Sequence, residues 1–178
     1  MRLIFFLICI FGIPIARAAD EIRYQAYLNP ELRYEREANQ QMIFRHPLNV
    51  GFGAQLDNTT YIIEVSHFTE TSGNQTLSID RTHYETAFWI NYNLYQFGSF
   101  NFFAGAGAGI FRETVKTNLN GNSSVDVGEV QPLVGTSVGL KALLWKHLIL
   151  SAEGRFLVGQ NFDPNPQLGM LLRVGVEF

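Results

Sequence analysis

The sequence holds a single cysteine, shows no basic excess and no low-complexity tract, and after residue 15 has no apolar run long enough for a membrane helix. Each absence closes a class of function. The cysteine is Cys9, inside a leader-like segment, so the rest of the chain offers no disulfide, no thiolate nucleophile and no cysteine ligand for zinc. Small residues do not precede Cys9 as they would a lipidated cysteine, so no lipid anchor is expected. Thirteen basic against sixteen acidic residues give a net charge of −3, and losing Arg2 and Arg17 with the leader takes it to −5. Such a chain carries no electrostatic footprint for nucleic acid. His46, His83 and His147 fall near expected loops or turns without ligand-like spacing, which reads as isolated surface histidines rather than a metal site.

At the N-terminus, Arg2 precedes an apolar stretch from Leu3 to Ile15, followed by Ala16-Arg17-Ala18. A positive start, a short apolar run and small residues before the cut make residues 1–18 a signal peptide, cleaved after Ala18. The run is shorter than the roughly 18 residues that an uncleaved membrane anchor requires. One domain, 19–178, remains.

That domain alternates. Leu168, Met170, Leu172, Val174, Val176 and Phe178 share one face of the last segment, and Gly169, Leu171, Arg173, Gly175 and Glu177 the other. A period of two is the signature of a strand with unlike faces. The same rule sets Leu148, Leu150, Ala152, Phe156 and Val158 against Ser151, Glu153 and Arg155. It recurs over 130–142, 100–111, 84–93, 61–66 and 50–56, and more weakly over 24–35, where Pro30 predicts a bulge or a broken strand. Connections alternate as well. Asp57-Asn58, 96–99 and 145–147 are short, whereas 37–47, 70–80, 117–127 and 160–167 are long and polar. The expected fold is therefore all-β, an antiparallel up-and-down barrel of about eight strands, with short turns at one end and loops at the other.

Alternation alone does not say which face is outside, because a lipocalin-like barrel also alternates around an interior ligand. The polar face here is rich in glycine and in opposite charges, which suits a narrow packed lumen. Aromatics on the apolar face sit near strand ends, with Tyr24, Tyr61, Tyr92, Phe100 and Phe178 toward one end and Tyr34, Tyr84 and Phe156 toward the other. Two such girdles suit two membrane interfaces. The closing Val174-Gly175-Val176-Glu177-Phe178, with apolar residues two and four positions before a terminal aromatic, looks like the insertion signal of bacterial outer-membrane proteins. With the glycine-rich strand 104–109 and the loop pattern, residues 20–178 resemble the small OmpA-like outer-membrane barrels. The resemblance is architectural. It implies residence in a bacterial outer membrane, contact with its lipid and lipopolysaccharide, and delivery by the barrel-assembly machinery through Val174, Val176 and Phe178. It implies no cofactor, and with no peptidoglycan-binding domain after the barrel it carries over no cell-wall tether.

The predicted lumen carries Glu31, Arg33, Glu35, Glu64, Glu85, Lys141, Glu153, Arg155, Arg173 and Glu177. Charges in a narrow interior must pair or suffer a large desolvation penalty. They form either a salt-bridged plug or the lining of a narrow, porin-like ion path; an eight-stranded lumen is just wide enough for side chains to fill it, which favours the plug. Ser66-His67 near Glu64 and Glu85 is the one cluster that invites a lipid-modifying enzyme. Adjacent strand residues point to opposite faces, so the serine and histidine should not meet and no catalysis is expected. Asp163-Pro164-Asn165-Pro166 is turn chemistry, short of the carboxylates that calcium needs. Gly105, Gly107 and Gly109 precede no helix, so they are no nucleotide loop; they let the backbone approach bulky lumen side chains. The polar segments 70–80 and 117–127 are the places to look for an extracellular partner. Removal of Phe178 is expected to reduce the heat-modifiable, membrane-inserted fraction severalfold, read on unboiled gels of membrane preparations; wild-type insertion would discredit the terminal signal.

Overall fold

The computed structural model describes residues 22–36, 42–73, 76–145, 147–160, 162 and 165–178. The expected signal peptide lies outside them. Ten strands follow in order: β1 (Arg23–Arg36), β2 (Met42–Arg45), β3 (Leu48–Leu56), β4 (Thr59–Gly73), β5 (Leu77–Phe97), β6 (Phe100–Leu119), β7 (Asn122–Val127), β8 (Gln131–Leu144), β9 (Leu148–Gly159) and β10 (Gln167–Glu177). Neighbours run β10-β9-β8-β6-β5-β4-β3-β1, and β1 pairs back onto β10, so eight strands close an antiparallel ring. β7 pairs with β6 outside that ring.

Pro30 does not break its strand. The pairs Pro30↔Leu48 and Arg33↔Arg45 keep one register, so β2 and β3 act as a single strand interrupted at His46-Pro47. Glu31 N donates to Pro47 O at 3.0 Å across that gap. Toward β10 the register also holds, from Leu28↔Val174 to Glu31↔Leu171. Proline removes one donor from the ladder without displacing the chain.

Two segments expected as loops are strands. β4 and β5 stay paired out to Gly73↔Ser78, and β6 folds back on β7 at Asn120-Gly121. Both turn residues have positive φ, 50° and 85°, the geometry of the two-residue turn that Asn-Gly favours. At the opposite end Asp57-Asn58 and Gly98-Ser99 make tight connections, and His147 N donates to Leu144 O at 3.2 Å between β8 and β9. β5 and β6 shift register between Asn93 and Tyr95, leaving Leu94 as a bulge.

The outer surface is apolar. Val50, Phe52, Ile63, Val65, Phe102, Ile110, Val134, Val138, Leu140, Met170 and Leu172 are all exposed, and so are Tyr24, Tyr92, Phe100 and Phe178 at one end and Tyr84 and Phe156 at the other. Inside, a cluster of Tyr27, Ile62, Ala87, Trp89, Leu133, Ile149 and Leu157 shares the lumen with charged groups. Trp89 is wholly buried and lies against two glycines: a Cβ on Gly107 would fall 2.5 Å from its ring and one on Gly135 2.9 Å. Gly107→Val should therefore displace Trp89 and lower stability by about 1–3 kcal/mol, whereas Ala106→Val on the outer face of the same strand should change little. Urea unfolding in lipid vesicles reads both, and equal effects would refute the wall-packing account.

Candidate functional site

Inward side chains two residues apart share a face of one strand, and the barrel collects eight such rows. Glu153 and Arg155 of β9 meet Arg173 of β10 and Glu64 of β4 in a closed four-membered cycle. Arg155 Nη2 lies 2.7 Å from Glu64 Oε2 and its Nε 2.6 Å from Glu153 Oε1. Arg173 Nη2 lies 2.8 Å from Glu64 Oε1, and its Nη1 contacts Glu153. Trp89 carries the Arg155 guanidinium 4.2 Å above its ring, and Tyr27 lies 5.7 Å from that of Arg173. All four charged residues are buried, so these pairs face little of the solvent screening that weakens surface bridges.

A second group lies toward the long-hairpin end. Arg33 binds Glu31 through Nε and Nη2, both at 3.1 Å, and Glu85 through Nη1 at 2.8 Å. Asn49 Nδ2 donates to Glu31 of this group at 2.7 Å, and Asn29 Nδ2 to Glu64 of the cycle at 3.0 Å. Beyond them Arg45 pairs with Glu70. An aromatic lid then crosses the lumen: Phe68 stacks on His83 at 4.4 Å, His83 on Phe111 at 5.9 Å, and Phe162 meets Phe111 edge-on at 5.5 Å.

Of the expected lumen charges, Glu31, Arg33, Glu64, Glu85, Lys141, Glu153, Arg155, Arg173 and Glu177 are buried within the ring. The side chain of Glu35 lies outside the described ones. Lys141 and Glu177 stand apart from both ion-pair groups, near the short-turn end. The alternation that set Leu171 beside Arg173 and Glu177 holds, and it also brings Ile62 inward beside Glu64; the sequence reading named the charges of this face and gave no role to its apolar members. It also put His83 at the surface, whereas burial between two phenylalanines makes it part of the lid. His46, His67 and His147 are exposed.

Catalytic machinery is not assembled at Ser66. Its side chain is buried opposite Glu85, while His67 points outward against Tyr84 at 4.8 Å between ring centroids. Among the described residues no three His, Cys, Asp or Glu side chains come together to hold a metal. Below the ionic cycle, Tyr27, Ile62, Phe103 and Arg173 line a void of about 10 Å³, the size of one water.

A closed antiparallel ring of eight strands, apolar outside and filled inside, defines the class of small outer-membrane β-barrels. Solved structures agree. Neisserial surface protein A is 14% identical with a TM-score of 0.61, covering 88% of this chain and 95% of that one. Ail, the attachment invasion locus protein of Yersinia pestis, is 10% identical with a TM-score of 0.58, covering 88% and 98%. The N-terminal β-barrel domain of Pseudomonas aeruginosa OprF is 11% identical with a TM-score of 0.53, covering 88% and 97%. The chain thus has the fold of the OmpA-like barrels. No protein-family model and no curated protein matches its sequence.

Removing one member of a buried ion pair strands its partner and costs about 3–5 kcal/mol. Glu64→Gln, which faces two arginines, should show a loss of that size by urea unfolding in vesicles. Arg23→Ala, whose half-exposed guanidinium reaches Glu177 at 3.4 Å, should fall within about 1 kcal/mol of the parent. Similar losses in the two would argue against an interior organised by the cycle.

Proposed function

We propose that the protein is a non-enzymatic barrel of a bacterial outer membrane, with a closed lumen and a surface-interaction role carried by the sheet that projects from its long-hairpin end. The observation that carries this reading is the extension of β4, β5, β6 and β7 beyond the aromatic Tyr84. From Tyr84 to Leu77 is seven residues, roughly 20 Å of strand. A rigid sheet replaces the flexible loops that length would otherwise allow, and ordered scaffolds of this kind present contact surfaces at low entropic cost.

β7 forms the free side of that sheet, with β6 as its one partner among the described residues. Gly128 N donates to Glu113 O, so 128, 126, 124 and 122 direct their backbone groups to β6 while Ser123, Val125 and Val127 direct theirs outward. Exposed Val125 and Val127 flank these groups. An open edge with apolar flanks suits an extended polypeptide, which adds as a further strand. Asp80, Glu113, Asp126 and Glu129 outnumber Arg81, Arg112 and Lys116 along the sheet, which disfavours a polyanion. The Yersinia neighbour is named for attachment and invasion, and a surface role in this chain follows the same architecture.

Two measurements test the reading. The refolded barrel should be silent in planar bilayers; steady reproducible openings would assign it a pore. Val125→Pro removes one outward N–H and leaves the β6 ladder intact, so it should abolish attachment of cells displaying the protein while heat modifiability persists. Undiminished attachment would exclude the β7 edge.

A further inference from the structure

The short-turn end of the lumen is not packed like the rest. A vestibule of about 280 Å³ opens there, with Gln25, Gln55, Asn101, Lys141 and Glu177 among its lining residues. That volume sits just under the roughly 300 Å³ at which pockets for drug-sized ligands begin, so the occupant it suits is a small solute. Its walls are mostly polar, with Arg23 and Asp57 at the rim.

The charges of this vestibule are arranged unlike those above it. In the ionic cycle each arginine touches its carboxylates directly. Here Lys141 Nζ donates to Gln55 Oε1 at 2.7 Å and to Thr60 Oγ1 at 3.3 Å, and no carboxylate of the described residues stands within ion-pair reach of it. Gln25 Nε2 bridges Gln55 Oε1 at 3.3 Å and Glu177 Oε2 at 2.7 Å. A buried ammonium and a buried carboxylate are thus held apart by two carboxamides along one floor, both bordering open volume, while the second oxygen of the carboxylate meets the half-exposed Arg23 guanidinium at the rim, 3.4 Å away. An ammonium has three donors, and Lys141 spends two on neutral oxygens. Keeping an ammonium buried beside neutral partners is costly, and an arriving anion would offset that cost.

We propose that this vestibule binds a small zwitterion of the amino-acid type, its carboxylate received by Lys141 and its ammonium by Glu177. Lining charges balance, Arg23 and Lys141 against Asp57 and Glu177, so neither a bare anion nor a bare cation is drawn in by net field. Opposite charges set apart on one floor match a ligand that carries both. Asn101, which also lines the vestibule, offers a donor and an acceptor to the amide or side chain between them. The site is entered from the short-turn end and is blind, because the ionic cycle and Trp89 lie above it. It is a binding site on a closed barrel, not a segment of a channel.

The test is a titration of the refolded barrel, residues 19–178, with glycylglycine, followed by backbone-amide NMR in detergent micelles. Saturable shifts centred on Lys141, Gln55, Gln25 and Glu177 are expected, with acetate and methylammonium each at least tenfold weaker. Lys141→Met and Glu177→Gln should each weaken glycylglycine at least tenfold. Asn101→Trp, directly across from Lys141 in the β6–β8 pairing, fills the vestibule while keeping both charged side chains in the sequence; it should abolish the shifts and covers the case in which Lys141→Met does not refold. Absence of saturable shifts in the parent, unchanged affinity in the variants, or acetate binding as tightly as glycylglycine would overturn the proposal. The blind end of the site rests on the closed lumen, which conductance tests; the binding itself is read by the titration alone, so its failure and the failure of the closed-lumen reading are distinguishable.

Discussion

The pairing of β1 with β10 closes the sheet, and the rest of the molecule depends on that closure. An open sheet in a nonpolar medium would leave two rows of backbone donors and acceptors unsatisfied, at several kcal/mol for each group. Tyr24 and Phe178 exchange both backbone bonds, at 3.1 and 2.9 Å, and their rings stack at 6.4 Å. The seam therefore begins at the last residue of the chain. Pro30 sits in the same seam and removes one donor, yet the register on either side of it is unchanged. One missing bond among eight paired positions is tolerated; a slip of one residue would turn every apolar side chain of β1 inward.

Closure at eight strands fixes the lumen's size, and size dictates its contents. An interior this narrow is filled by side chains, so the choice left to the sequence is between apolar and paired polar residues. This chain uses both. Arg173 and Glu64, 109 residues apart, meet across the barrel, and the cycle they form with Arg155 and Glu153 ties β4, β9 and β10 into one alignment. Ionic interiors add little stability over apolar ones of equal volume. Their effect here is directional, since a shifted strand would leave a buried charge without its partner.

Much of this was legible in the residues. Alternation located the strands and sorted their faces, because lipid-facing and lumen-facing environments differ as strongly as any two a chain meets. Short turns were found for the same reason: Asp57-Asn58 interrupts the period. What the sequence concealed lies beyond the membrane. Past Tyr84 and Ile110 both faces meet water, so the period of two loses its contrast and Ser-, Thr- and Asn-rich strands read as loops. One local signal survived there, the Asn120-Gly121 pair, whose turn chemistry marks a hairpin independently of hydropathy. His83 was misplaced because proximity to a loop was taken for exposure, whereas Phe68 and Phe111 stack on it from β4 and β6, and Phe162 packs against Phe111.

β5 and β6 run side by side over twenty paired positions, from Leu77↔Leu119 at the projecting tip to Phe97↔Phe100 at the opposite turn. Membrane-embedded and projecting parts are thus the same two strands. A load applied at the tip and directed away from the membrane acts along the strands, perpendicular to their hydrogen bonds. Those bonds are strained together rather than opened one after another as in peeling. The projecting sheet is in this sense in series with the barrel, and its mechanical strength is that of the whole ladder rather than of its exposed third.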